Sequence, residues 1–572
     1  MDPEKEQQTL SGATGTDKQF NKVNMFEEIT VLTAKKIITM SSVRSEAEAV
    51  AVRNGKILGV GTIDELKGWG KVTIDDTFKD KTLIPGLIEG HCHIMEGVVW
   101  QYPYVGYYDR VGPDGKHWQG CTSLEEVIAA LKKIDASLAD PEESLIAWGL
   151  DPIYFKGERL CAKDLDKVST TRPIFVVHAS FHIATVNTAL LKKEGITRNT
   201  EAEGVPKASD GEPLGELQET GLGLAMDHLM RFFGEMGSPL VWKNIGLQAK
   251  NSGCTTLAEL GTSSPNSQEQ IEHMKAIIDA EDFPVRVVAA YMPPADAPDD
   301  PVAAAQIVFD AKKQSSDKLR FGIVKLILDG SIQGYTARVN EPGYFNGKPN
   351  GLWMNPPEQI ANALDKYHQA GLTVFCHCNG DEAVDVFLDA VEQAQVKAPW
   401  PDARHTIQHC QVSTSAQYQR MANLGVCANI FANHIYYWGD QHYETTMGPD
   451  RAERMEACAT AKRAGVHFTL HSDAAVTPLG QLHTAWCAVN RLTASGRVLG
   501  EEEKISVYDA LYSVTMGAAY QMKMDHEIGS IEPGKWADFT VLEEDPFTID
   551  PIHLKDIDIW GTVLAGKPFK TS

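Results

Sequence analysis

Apolar residues in this chain recur in short runs that end in polar or turn-forming residues, at 83–91, 254–260, 285–291, 321–328, 372–377, 404–409, 426–431 and 466–472. Runs of this length and composition predict strands. Between them, apolar positions repeat at helical spacing, as in 357–370 and 381–397. Alternating strands and helices predict a parallel α/β sheet, and eight such strands predict a closed (β/α)8 TIM barrel over 83–96 and 243–504.

The flanks follow a different pattern. Ile29-Thr30-Val31-Leu32 and two further short runs surround the turn Arg53-Asn54-Gly55-Lys56, and the C-terminal part repeats the arrangement around Glu532-Pro533-Gly534. Short strands between Asn-Gly and Pro-Gly turns predict a small β-sandwich built from both chain ends, 24–82 with 505–572. Residues 97–242 form a long insertion between the first and second core strands. Residues 1–23 are polar and are expected to be a disordered tail.

Composition narrows the function. At 572 residues the chain exceeds a single barrel, which the sandwich and the insertion account for. A net charge of −24 argues against nucleic acid or an anionic membrane as partner. No stretch is apolar enough to span a membrane, and the N-terminus lacks a signal-peptide core. The 10 cysteines follow no framework spacing, so reduced thiols and a cytoplasmic location are expected. No internal repeat is visible.

The chemistry sits at the ends of the predicted strands. His91 and His93 flank Cys92, and side-chain alternation points both imidazoles to one face, where they can share a metal. Taken alone, such a pair fits a buried polar corner equally well. Lys325 lies among apolar neighbours that would depress its pKa. It could extend its ammonium to solvent, or react as a neutral amine with CO2 to give a carbamate that bridges two cations. His377 and His409 close the fifth and sixth runs. Asp473 follows the eighth, where an isolated Ser-Asp more commonly caps a helix. Alternation turns Cys92, Cys376, Cys378 and Cys410 away from any site on the histidine face, as packing residues. The ordered set carries the inference. Ligand types lie at the C-terminal ends of strands one, four, five, six and eight, where barrel active sites form.

Pro85-Gly86-Leu87-Ile88-Glu89-Gly90-His91-Cys92-His93, Val324-Lys325-Leu326-Ile327-Leu328-Asp329-Gly330-Ser331, His377-Cys378-Asn379-Gly380-Asp381-Glu382-Ala383-Val384, the run ending in His409, Ser472-Asp473 and the tail 529–538 together resemble the amidohydrolase superfamily. The similarity is to its branch of N-substituted formamide deformylase-like metal-dependent hydrolases (amidohydrolase family 3). The resemblance implies two Zn2+ per chain, other divalent metals being alternatives. His91, His93 and Asp473 would hold one, His377 and His409 the other, with carboxylated Lys325 bridging. It also implies a metal-bridged hydroxide, with Asp473 as proton shuttle.

The sequence departs from the branch at Gly90, Gln408 and His471, which replace the more usual Asp or Ser, Glu and Gly. The insertion is similar to the α/β lid of this branch, and Phe181-His182-Ile183-Ala184-Thr185-Val186-Asn187-Thr188-Ala189-Leu190 resembles a motif that would bring His182 to the substrate. Gln333 is a further candidate substrate contact. So is Trp100, which with Tyr102, Tyr104, Tyr107 and Tyr108 could line an apolar pocket or pack a core. The expected reaction is hydrolysis of a linear C–N bond in a small-molecule amide or N-substituted formamide. Alternatives are a cyclic amide hydrolase, a deaminase (against which Lys325 counts) and a non-catalytic relative. A second copy of the chain is the candidate protein partner.

Overall fold

The computed structural model describes residues 28–572 apart from 141, 156–157, 203, 235 and 295–299. The expected disordered tail, 1–23, and the first positions of the N-terminal flank lie outside the described residues.

The core strands are β1 (Leu87–Cys92), β2 (Cys254–Glu259), β3 (Arg286–Ala289), β4 (Ile323–Ile327), β5 (Thr373–Cys378), β6 (Thr406–His409), β7 (Cys427–Ile430) and β8 (Phe468–Leu470). They fall within a residue or two of the predicted runs, save that the first run merges two strands. All core pairings are parallel: β1-β2-β3 with a short strand Leu319–Arg320 form one sheet, and β4 to β8 form a second in sequence order. Parallel bridges join the two sheets at both flanks, Tyr291 with Val324 and Cys92 with Ala474.

Strand alternation divides the core into layers. On one face of these strands Ile88, Ala258, Val288, Ala290, Ile323 and Phe375 form an apolar cluster, closed by Met522, Met524 and Ile528. The next residue on the same face of β4 is Lys325 and of β5 is His377, one pleat repeat further along. The intervening Val324, Leu326, Cys376 and Cys378 belong to the main core cluster that the helices cover. Cys92 and Cys410 lie there too, as alternation predicts.

Both chain ends meet in one seven-stranded sheet. Its order is Lys567–Lys570, Ile559–Leu564, Phe539–Leu542, Val72–Pro85, Ile29–Ile38, Glu46–Arg53 and Lys56–Gly61. The hydrogen-bonded ladder is continuous rather than divided into two sheets. Gly86 is the junction between this sheet and β1; a Cβ there would lie 2.0 Å from Thr255 Oγ1, so only glycine permits the approach. A buried ion pair, Arg286 Nε to Asp538 Oδ2 at 2.6 Å, ties the sheet to the parallel core. The insertion carries its own four-stranded sheet, Glu216–Gln218, Ile183–Val186, Ile174–His178 and Leu145–Leu150.

Candidate metal centre

The candidate ligands converge at the C-terminal ends of β1, β5, β6 and β8 as two clusters. In the first, His91 Nε2 and His93 Nε2 lie 3.3 Å apart, and Asp473 Oδ1 lies 3.5 and 3.4 Å from them. Asp473 Oδ1 is buried and has no hydrogen-bond partner among the described residues. An orphaned carboxylate oxygen facing two imidazoles is costly unless a cation occupies the space between. In the second cluster His377 Nδ1 and His409 Nε2 lie 2.9 Å apart. Asp473 links the clusters, its Oδ2 being 3.8 Å from His409 Nδ1. His409 and Asp473 both take positive φ, +80° and +53°, turning the chain at the ends of these strands.

The surrounding hydrogen bonds fix which nitrogens carry protons. Asn429 Nδ2 donates to the Gly90 carbonyl at 3.0 Å, which sets that amide's orientation. It also donates to Gln408 Oε1 at 2.7 Å, so the atom facing His91 Nδ1 at 2.8 Å is an acceptor. His91 is therefore protonated on Nδ1, and its Nε2 lone pair faces the first cluster. Gln408, one of the departures, thus has a definite role. Gly90, another, lies where a Cβ would come within 2.7 Å of Gln521 Nε2.

The second cluster is fixed from its His409 end. His471 Nδ1 faces the Ile430 carbonyl at 3.2 Å and must donate to it, leaving Nε2 to accept from His409 Nδ1 at 3.0 Å. At the other end His377 Nε2 faces both the Gly330 carbonyl at 3.1 Å and Asn379 Nδ2 at 3.0 Å, which donates to that same carbonyl. His409 therefore turns its Nε2 lone pair toward His377 Nδ1, 2.9 Å away. In the tautomer whose Nε2–H donates to Gly330, His377 Nδ1 is a second lone pair facing the first, an arrangement that fits a cation. Burial pushes the imidazoles of His377 and His471 down to about 3 and those of His91 and His409 well below their usual range, so all four are neutral near pH 7.

Lys325 is 2 % exposed, and burial lowers its ammonium to about 8 despite the nearby Asp473 carboxylate. Its charge helps to lower His91, His377 and His409 alike. Asp473 would be raised by burial, but His93, His471 and Lys325 hold it below the ordinary carboxylate range.

A cavity opens beside the ligands, with His377, His409 and Asp473 in its wall. Of the three candidate substrate contacts, His182 and Gln333 line it. Trp100 is not among its lining residues: its indole N–H donates to Glu96 Oε1 at 3.1 Å and its ring stands edge-on to Trp148. The neighbouring tyrosines pack likewise, Tyr104 on Trp148 and Tyr107 on Tyr154. Of the two readings left open for this aromatic run, these contacts favour packing within the insertion. The cavity wall is instead mainly polar, with Ser180, Ser331, Asn379 and Gln411, and apolar only at Phe431 and Val476. Sequence reasoning did not single out His434, which also lines the cavity. It follows β7 at the start of a helix, Asn433–Gln441, where nothing in the local pattern distinguishes it.

Comparisons with known proteins agree with this picture. A model described as "Amidohydrolase family" matches residues 78–569. The chain is 26% identical over 520 residues to the protein LONG AFTER FAR-RED 3 of Arabidopsis thaliana, covering 88% of this chain and 85% of that one. It is 22% identical over 537 residues to N-substituted formamide deformylase of Arthrobacter pascens, covering 92% and 96%. Among solved structures, an uncharacterized metal-dependent hydrolase from Pyrococcus horikoshii OT3 superposes with a TM-score of 0.68 at 20% identity, covering 92% of this chain and 99% of that one. At that identity the likeness shows a shared fold.

Proposed function

The chain belongs to the amidohydrolase family, and from that premise we propose that it is a zinc-dependent hydrolase of a linear C–N bond, of the amide or N-substituted formamide type. The observation that carries the reading is the buried Asp473 Oδ1, which has no hydrogen-bond partner among the described residues and faces His91 Nε2 and His93 Nε2, beside the close pair His377 Nδ1 and His409 Nε2. In this reading His91, His93 and Asp473 would hold one Zn2+ and His377 and His409 would hold a second. The nitrogen-rich ligand set suits zinc. Lys325 would add a further anionic ligand as a carbamate; its lowered pKa of about 8 leaves part of it as the neutral amine that can add CO2 with loss of a proton. When bound, the metal supplies Lewis acidity and lowers the pKa of water.

The chain's own residues then handle protons and position. Asp473, held ionised, takes the proton of the attacking water and passes it to the leaving nitrogen as the C–N bond breaks, giving a carboxylic acid and an amine. His182 and Gln333 orient the substrate from the cavity wall. A mainly polar wall without Arg favours a small uncharged acyl group, for which formyl is the simplest case, and the deformylase relative supports that choice. The reading also takes the eight core strands as a closed (β/α)8 barrel, supported by the bridges at both flanks. It takes 97–242 as a lid, supported by Ser180 and His182 reaching the cavity from that segment. The cysteines are all free, which suits the cytoplasm.

The test is zinc content of protein purified without chelator in bicarbonate buffer, together with amine release from N-phenylformamide and its N-acetyl analogue. About two zinc ions per chain and release from at least one substrate are expected. Absence of bound metal would overturn the reading.

A further inference from the structure

Beyond β7 three buried side chains form a hydrogen-bonded line that ends at the cavity. Thr446 Oγ1 lies 2.7 Å from His442 Nδ1, and His442 Nε2 lies 3.0 Å from His434 Nδ1. The two imidazoles are stacked at 5.3 Å, within 8° of parallel. They sit on the helix Asn433–Gln441 and on the single π-helical turn His442–Thr446 that follows it. All three residues are buried.

The direction of the line follows from the threonine. Its hydroxyl has a proton to place, and His442 Nδ1 is its only hydrogen-bond partner among the described residues. A buried hydroxyl that accepted from Nδ1–H would leave its own proton unpartnered, so the hydroxyl donates instead. Neutral His442 then carries its proton on Nε2 and donates to His434 Nδ1. Neutral His434 in turn carries its proton on Nε2. Burial keeps both imidazoles neutral. His434 Nε2 has no protein partner among the described residues, and His434 lines the cavity with Phe431 and Asp473. Gln333 Oε1, Asn379 Oδ1 and Gln411 Oε1, in the same wall, are buried acceptors without partners among the described residues. His434 supplies the opposite polarity.

We propose that His434 is a catalytic residue whose Nε2–H donates to the carbonyl oxygen of the scissile amide, with His442 and Thr446 as positioning residues that hold its tautomer. The proposal rests on the hydrolase reading above. A fixed neutral donor strengthens its bond as negative charge develops on that oxygen, without needing to reorient. It also binds a carboxylate product less tightly than a cation would, which favours release.

The experiment is NMR of the full chain with 15N-labelled imidazoles, His434 being assigned by its loss in His434→Gln. A pyrrole-type Nε2 and a pyridine-type Nδ1 are expected for His434 near pH 7. Thr446→Ser should keep this form and Thr446→Val should give a tautomer mixture. N-methylformamide, used as the probe, should shift the Nε2 resonance. With the zinc-loaded enzyme and N-phenylformamide, His434→Ala should lower kcat about 10²-fold with little change in KM, and His434→Gln, which keeps an N–H donor, should recover about tenfold. A proton on Nδ1, or an Nε2 resonance that ignores N-methylformamide up to its highest usable concentration, would overturn the proposal. The tautomer and probe measurements need no turnover. A metal-free chain with the Nε2–H form defeats the hydrolase reading alone; an active zinc enzyme with the Nδ1–H form defeats this inference alone.

Discussion

The two ligand clusters are held by different means. His91, His93 and Asp473 include a buried anion, and the tautomer of His91 is set by amide side chains, Gln408 and Asn429. His377 and His409 are imidazoles only, and the tautomer of His409 is set by a backbone carbonyl, through His471 at Ile430. Charge therefore helps the first cluster to hold a cation. The second depends on geometry and on whatever anion Lys325 becomes. This asymmetry makes the second cluster the more easily emptied.

Removing the anion tests the stronger cluster. Asp473→Asn should lower kcat/KM by about 10³-fold or more, because one residue both binds and moves the proton. A loss below about tenfold would show that charge is not what distinguishes the first cluster. Next in size is Lys325→Ala, expected to lower kcat about 10²-fold and to reduce zinc from about two to about one per chain, taken from the second cluster. Equal loss from both clusters would erase the asymmetry. Wild-type activation by bicarbonate should increase from pH 7 to pH 9, because Lys325, lowered to about 8, is increasingly the neutral amine over that interval.

A crossed pair sharpens the comparison further. His471→Phe should weaken zinc at the second cluster by about 10- to 100-fold, and Gln408→Leu should do the same at the first, each sparing the other. Competition with a chromophoric chelator reads both. The smallest effect is expected at Trp100→Phe, with KM changed less than about twofold, since its ring packs on Trp148 away from the cavity. A large rise in KM would return the aromatic run to the substrate pocket.

Much of the architecture was legible. Each core strand shows as an apolar run with a polar terminus, since burial on both faces and a change of chemistry at the strand end are local properties. Gly86 marks where local reading failed: the run 83–91 looks continuous, yet Val72–Pro85 pairs with the terminal sheet and Leu87–Cys92 with the core. The aromatic run after His93 stayed open for a related reason. Tyr, Trp and Phe satisfy a pocket wall and a packed core equally, and only their partners decide.

The sequence by itself determined the candidate ligand types, their order along the chain and the strand ends that carry them, because such a side chain needs only its own strand to reach the site. Only the tertiary structure decided the state of those ligands. The bond from Asn429 to Gly90 spans 339 positions, and that from His409 to His471 spans 62. Which nitrogen of an imidazole offers its lone pair depends on the partner of the other nitrogen, and folding brings that partner from elsewhere in the chain. The same holds for His434, whose donor character is set by Thr446 through His442 and by nothing adjacent to it in sequence.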